Sequence, residues 1–278
     1  MIYKQKESTA LRFLYRTASG RILLRIISNR WISRLCGAFL DSRFSKPLIG
    51  PFIRKNKINI AEYYSNDFKC FNDCFSRKIK NGLRPVDNSP KSLISPCDGL
   101  LSAWKITDRT VLPVKQSSYT INMLLKNNNL SKRYENGICL VFRLCVDHYH
   151  RYCYIDNGTK GRNIFIPGRL HTVRPVALES CPVFIQNCRE YTVMQTENFG
   201  TVTQVEVGAM LVGKIKNHHG KSAFFKGQEK GMFLYGGSTI ILLFEKDKVK
   251  IPSKYFHMTR HGKEQPVKMG EKLGESSV

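Results

Sequence analysis

Apolar residues recur every three or four positions near the start of the chain. Leu24, Ile27, Trp31, Leu35 and Phe39 carry this repeat with arginines between them, a spacing that predicts helix over residues 8–45. Pro47 and Pro51 are expected to end the region, because proline removes a backbone donor and clashes with the preceding turn. Residues 61–85 predict another helix and a loop. From about residue 93 the chain reads mainly as strand. Val205, Val207, Ala209 and Leu211 alternate with Gln204, Glu206, Gly208 and Met210, the period of a half-buried strand. Asn198-Phe199-Gly200 predicts a hairpin turn. Two apolar strands, Met232 to Tyr235 and Ile240 to Phe244, flank a Gly236-Gly237-Ser238-Thr239 turn. Residues 260–278 are polar and are expected to fray. The pattern holds no internal repeat and no βαβ rhythm. The expected fold class is α+β, with a basic helical region at 1–65 and a mainly antiparallel β domain at 66–278.

Composition narrows the partners. The 278 residues include 42% hydrophobic positions, enough for a core, and carry a net charge of +24 from 45 basic and 21 acidic residues. That balance calls for an anionic partner, either nucleic acid or an anionic membrane surface. Residues 1–60 hold 13 Lys and Arg against Glu7 and Asp41 alone, a local charge of +11. Two readings of these helices stay open. They pack on their own domain, or they lie in a membrane interface with arginine heads near lipid phosphates; one helical hairpin could do both. A membrane span needs about 20 apolar residues, and Arg21, Arg25, Arg30 and Arg34 interrupt the candidate stretch. A cleaved signal peptide is not expected, since no long uncharged apolar core lies near the N-terminus. Nucleic acid is disfavoured: despite the pI of 9.8, the chain has no stacking-aromatic motif, zinc module or recognition-helix pattern. The nine cysteines sit in apolar segments such as Ile138-Cys139-Leu140, which suits buried reduced thiols in a cytoplasmic protein. Cys70 and Cys74 lack a second pair at zinc spacing, and His218-His219 reads as a polar turn, so no metal is expected.

The candidate chemistry centres on Gly237-Ser238. Gly237 has no side chain, so its carbonyl is open to close approach. Attack by the Ser238 hydroxyl exchanges the amide for an ester, and loss of the Ser238 Cα proton breaks that ester to leave dehydroalanine. Hydrolysis then yields a pyruvoyl group, a ketone that acts as an electron sink. A Gly-Ser-Thr tripeptide by itself is an ordinary turn. Here it follows Lys226-Gly227-Gln228-Glu229-Lys230-Gly231-Met232-Phe233, and the whole resembles the self-cleavage site of the phosphatidylserine decarboxylase family. Gly236 stands where that family usually has Leu or Phe.

Five further segments carry the resemblance in the same order. Asp67 to Arg77 followed by Arg84-Pro85 resembles the family's Phe-rich helix and Arg-Pro turn. Ser95-Pro96-Cys97-Asp98-Gly99 resembles Ser-Pro-x-Asp-Gly, which implies that Asp98 belongs to the charge relay driving self-cleavage. Asp147-His148-Tyr149-His150-Arg151-Tyr152-Cys153 resembles Asp-Tyr-His-Arg-x-His, with Cys153 at the second His. Ile166 to Pro175 resembles Gly-x-x-x-x-Val-Asn-Pro, with His171 where an aromatic is common; the Val207-Gly208-Ala209 strand also matches. The resemblance implies conversion of phosphatidylserine to phosphatidylethanolamine and CO₂, through a Schiff base on a covalent pyruvoyl cofactor derived from Ser238. It implies a β chain of residues 1–237 and an α chain of 41 residues, 238–278, held together as a heterodimer. His150 takes the position implied to serve decarboxylation. A thiol at Cys153, with an ordinary pKa near 8.5, is a poor substitute for the relay imidazole. His171 is expected to replace it, with His150 or His148 as alternatives. The implied partners are phosphatidylserine and an anionic membrane surface, with no nucleic acid, and the expected place is the cytoplasmic face of the cell membrane, peripherally bound. A pyruvoyl enzyme acting on a soluble amino acid is the rival reading, and the basic amphipathic N-terminal segment argues against it.

Overall fold

The structure, a computed structural model, describes residues 9–107, 112–114, 117–169, 171–172, 183–208, 214–234 and 238–277. The N-terminal region folds as α1 (Thr9–Arg16), α2 (Ala18–Ile27) and α3 (Arg30–Asp41). Asn29 caps α3 by accepting the Trp31 N–H, which satisfies one of the donors that a first turn leaves open. Gly20 lets α1 and α2 close together, since a Cβ there would stand 2.1 Å from the Phe13 carbonyl oxygen. Tyr15, Leu24 and Leu40 are buried, whereas Trp31 and Leu35 are 70% and 72% exposed, with Phe39 exposed beside them. The periodic apolar face is therefore split between the domain and solvent. The prolines do not end the region. Pro47 lies in a 3-10 turn (Arg43–Leu48) and Pro51 in the first turn of α4 (Ile49–Asn56), where an N–H has no intrahelical partner to lose. Residues 61–85 hold one short α-helix, α5 (Phe71–Phe75), whose Phe71 and Phe75 pack against Leu40.

The strands are β1 (Ser92–Ile94), β2 (Gly99–Lys105), β3 (Leu112–Val114), β4 (Ser117–Tyr119), β5 (Ile138–Leu144), β6 (Arg151–Cys153), β7 (Gly158–Lys160), β8 (Ile164–Ile166), β9 (Arg189–Thr196) and β10 (Gly200–Val207). They continue with β11 (Ile215–Asn217), β12 (Ser222–Phe224), β13 (Glu229–Phe233), β14 (Ser238–Phe244), β15 (Val249–Lys250), β16 (Gln265–Val267) and β17 (Lys272–Ser276). Helices α6 (Ile121–Leu125), α7 (Asn128–Lys132), α8 (Val183–Gln186) and α9 (Ser253–Arg260) complete the described elements. One large sheet runs β12-β7-β9-β10-β14-β5-β2-β16, with β8 also on β9, and smaller sheets are β11-β13-β6, β1-β17-β15 and β3-β4. The pairings are antiparallel, so the α+β class with a mainly antiparallel sheet holds.

Alternation sorts the central strands into two cores. Leu140, Phe142 and Leu144 of β5 and Ile240, Leu242 and Phe244 of β14 meet Tyr152 and Phe233 of the β6–β13 layer. Cys139, Val141, Ile241 and Leu243 face the other way, onto Leu124, Leu125 and Phe184 of α6 and α8. Burial on both faces explains the unbroken apolar run of β14, where each large side chain contributes about 1.5–3 kcal/mol.

Two sequence expectations change here. Strand β10 is buried on both faces rather than one. Its polar side closes on Lys230, whose Nζ donates to Glu206 Oε1 at 2.6 Å and Asn217 Oδ1 at 2.7 Å. Both charged side chains are fully buried. Ala209 and Leu211 lie outside the described residues. Residues 260–278 do not fray through their length: β16 pairs with β2 and β17 with β1 and β15, anchored by buried Val267 and Leu273. The Asn198–Gly200 turn joins β9 to β10 as expected, with Gly200 opposite Thr196.

Candidate active site

Ser238 opens β14, opposite Leu144 of β5. The next residue, Thr239, is paired on both sides, with Arg143 of β5 and Val207 of β10. By alternation Ser238 shares the face of Ile240 and Leu242, toward the layer of β6 and β13. Its side chain is 1% exposed, and among the described residues its Oγ has no hydrogen-bond partner, nor has Thr239 Oγ1. A buried hydroxyl left unpaired costs about 1–3 kcal/mol, so the pair calls for an explanation other than stability. Gly237 and the expected scissile bond lie outside the described residues, as do Tyr235 and Gly236.

The motif ahead of this segment is scaffolding that delivers it. Lys226 Nζ donates to the carbonyls of Ser89 and Ser92. Glu229 accepts from Arg151 at 2.8 Å and meets His218 Nε2 at 2.7 Å. Gly231 leaves room for Tyr152, since a Cβ there would come within 2.7 Å of its hydroxyl and 2.4 Å of the Lys216 carbonyl oxygen. The Phe233 N–H then donates to the His150 carbonyl at 2.9 Å. The segment 144–150 thus touches the chain on both sides of residues 235–237: His150 holds Phe233, and Leu144 pairs with Ser238.

Within that turn the two imidazoles take opposite roles. His150 is fully buried against Phe75, with ring centroids 4.0 Å apart. Its Nδ1 contacts the His148 carbonyl oxygen at 2.9 Å; a carbonyl only accepts, so Nδ1 carries the proton and Nε2 keeps its lone pair. Nε2 has no hydrogen-bond partner. Burial, helped by the Arg77 charge, holds this imidazole well below its usual range, so it is neutral, with an open lone pair at Nε2. His148 is the reverse, because its Nδ1 accepts the Cys145 N–H at 3.2 Å, leaving the proton on Nε2. Arg77 pins the turn through bonds to the carbonyls of Asp147 and His148 at 3.0 and 3.3 Å. Cys145 Sγ, an Asp147 carboxylate oxygen and a His148 ring nitrogen lie within 4.8 Å of one another.

Asp98 lies just before β2, which joins the sheet beside β5, so β5 separates it from β14. Its carboxylate is held by Arg84, Nε at 2.8 Å and Nη2 at 2.5 Å, and by the Met269 N–H at 2.9 Å. The expected imidazole partner is thus replaced by a guanidinium from the Arg84-Pro85 turn. Cys153, at the family's second His position, donates its N–H to the Pro96 carbonyl. Burial pushes its thiol up to about 12, so it holds its proton at neutral pH.

His171 is tied to the end of β10 through Asn187. Its N–H donates to Asn187 Oδ1 at 2.8 Å, and Asn187 Nδ2 donates to the carbonyls of His171 and Gly208, each at 2.7 Å. Gly208 follows Val207, the partner of Thr239. The imidazole is 6% exposed, its Nε2 has no hydrogen-bond partner, and burial lowers its pKa. Residues 173–175 of its motif lie outside the described residues. Reading the sequence missed the roles of Asn187, Arg77 and the Arg84–Asp98 pair; Arg77, Arg84 and Asp98 stand in matching motifs, and Asn187 in none.

A model of the family described as phosphatidylserine decarboxylase matches residues 71–275. The chain is 46% identical over 275 residues to phosphatidylserine decarboxylase proenzyme 2 of Clostridium acetobutylicum, covering 99% of this chain and 94% of that one. It is 40% identical to the phosphatidylserine decarboxylase proenzymes of Clostridium botulinum, over 95% of this chain and 92% of that one, and of Clostridium kluyveri, over 95% and 91%. The chain belongs to the phosphatidylserine decarboxylase family.

Proposed function

We propose that this chain is a phosphatidylserine decarboxylase proenzyme that cuts itself between Gly237 and Ser238 and converts phosphatidylserine to phosphatidylethanolamine and CO₂. The observation that carries the reading is the buried, unpartnered Ser238 Oγ at the head of β14. In this reading His150 Nε2 accepts the Ser238 proton and the His171 imidazole donates toward the reacting carbonyl or the departing nitrogen. This division follows the His150 tautomer and gives His150 the base role that the sequence motifs suggested for His171. Asp98, tied to Arg84, anchors the start of β2 on the far side of β5 from Ser238.

The pyruvoyl group derived from Ser238 fits its position. Removal of the hydroxyl strands no partner, because Oγ has none. When formed, the group supplies a ketone that draws electrons during decarboxylation. After cleavage the α chain, 238–278, stays with the β chain, 1–237, because β14 is paired with both β5 and β10. Residues 66–278 form the decarboxylase domain.

The helices of residues 1–65 bind an anionic membrane at its cytoplasmic face, peripherally. The exposed stripe of Trp31, Leu35 and Phe39 and the charge of +11 over residues 1–60 support this, and among the described residues no helix is long and apolar enough to cross a bilayer. The testing experiment compares phosphatidylserine in vesicles with free serine as substrate. Product from the lipid alone, lost in Ser238→Ala, supports the reading; turnover of free serine at an equal rate refutes it.

A further inference from the structure

We propose that His257, in the last turn of α9, and His261, at its C-cap, form a two-imidazole site for a late first-row divalent metal ion such as Ni²⁺ or Zn²⁺. The two stand four residues apart. That spacing puts them on one face of a helix, one turn apart, as in paired helix histidines that hold zinc. Helix α9 is fixed from below. Tyr255 and Thr259 are buried, the Thr259 hydroxyl donates to the Tyr255 carbonyl at 2.8 Å, and its oxygen accepts the Ala103 N–H of β2 at 2.9 Å. His257 follows Tyr255 by two residues, about 200° around the helix, so the pair faces away from the sheet, and both imidazoles are exposed. Their ring centroids are 4.3 Å apart, with planes tilted at 40°. Two imidazoles bound through nitrogens about 2.0–2.1 Å from one ion have centroids about 4.5–5.5 Å apart. Closing on an ion therefore takes a small side-chain rotation and no movement of the helix.

The hydrogen bonds prepare one of the two ligands. His261 Nδ1 lies 2.8 Å from the His257 carbonyl oxygen; a carbonyl only accepts, so Nδ1 carries the proton and Nε2 keeps its lone pair. Metal-binding histidines are oriented in this way, the second ring nitrogen donating to a backbone carbonyl. The same carbonyl accepts the His261 backbone N–H at 3.3 Å, so the residue that carries one imidazole also sets the other. The ion sits at a helix C-terminus, where the dipole favours positive charge, while Lys254, Arg260 and Lys263 nearby in sequence oppose it. The donor set selects the ion. Imidazole suits nickel, copper and zinc, whereas magnesium and calcium take oxygen ligands. Among the described residues no third His, Cys, Asp or Glu joins the pair, so water takes the remaining positions. The site lies within residues 238–278 and takes no part in the chemistry proposed for Ser238.

The test titrates the purified full chain with Ni²⁺ alone, by calorimetry in metal-free buffer. His257→Ala and His261→Ala should each weaken binding about tenfold or more, because either change turns a chelate into a single contact. Both side chains are exposed, so each variant should melt with the wild type in EDTA. Added Ni²⁺ should then raise the melting temperature of the wild type above that of either variant. Paramagnetic Ni²⁺ should also broaden the ring signals of His257 and His261 together, ahead of the rest of the seven histidines. Equal Ni²⁺ binding by the wild type and both variants overturns the proposal. So does a loss confined to one variant, which would mean a lone imidazole in place of a pair. Broadening that begins at His218 and His219 would put the ion elsewhere and overturn it as well.

Discussion

Replacing His150 by Gln separates the base from its surroundings. Gln can still donate to the His148 carbonyl, which His150 Nδ1 contacts at 2.9 Å, but it offers no basic nitrogen. The packing lost against Phe75, 4.0 Å away, is worth about 0.5–1.5 kcal/mol. That is small beside the stability of about 5–15 kcal/mol usual for a folded domain. Loss of a general base costs about 10²–10⁴ in rate, or about 2.7–5.5 kcal/mol, so the chemistry should fail while the fold survives. The assay follows the 31.9-kDa precursor into two fragments on denaturing gels after cell-free synthesis. The wild-type rate should stay level as pH falls to about 6.5, the ordinary histidine value, and drop only below it, because burial and Arg77 keep His150 unprotonated. A His150→Gln chain that matures within twofold of wild type would refute the assignment, and so would a wild-type rate already halved at pH 6.5.

Three further outcomes follow. Lys230→Met in the Ser238→Ala precursor leaves Glu206 charged and fully buried; urea unfolding should report a loss of about 3–5 kcal/mol, largely restored by adding Glu206→Gln, and a loss below about 1 kcal/mol would contradict the buried pair. His148, His150 and His171 all sit below the ordinary histidine range, chiefly through burial, so the unfolded chain binds more protons just below pH 6.5. Stability of the precursor should therefore be full above about pH 6.5 and decline as pH falls, by up to about 1.4 kcal/mol per pH unit for each histidine; a melting temperature that is flat from pH 7.5 to 5.5 would contradict this. Flotation with anionic vesicles should weaken with salt and with Trp31→Asp and Leu35→Asp, since each basic residue near the surface contributes about 1 kcal/mol. Equal recovery on neutral vesicles would remove the electrostatic anchor.

The site was partly legible because local motifs mark it. Ser238, Asp98 and His150 each stand in a short run of fixed order, and the strand period announced β10 and its hairpin. What stayed hidden depends on pairing across long sequence separations. The period of β10 marks Glu206 as polar, and polarity was taken for exposure; only the placement of Lys230 on a strand layered over that face shows that both are buried. The Tyr15 hydroxyl meets His171 because the helical region packs back on the domain, which no local pattern reveals. Polar composition likewise disguised residues 260–278, where two buried apolar side chains, Val267 and Leu273, help hold two short strands on existing edges. The prolines misled for a local reason: the rule against proline applies to the interior of a helix, and Pro51 stands in a first turn.

Intact-mass measurement of the purified active protein tests the central claim most directly. The account predicts two species, residues 1–237 with an ordinary C-terminus and a 41-residue chain beginning at position 238, its N-terminus carrying a pyruvoyl group in place of serine and resisting Edman sequencing. A single species of 31.9 kDa that decarboxylates phosphatidylserine would contradict it.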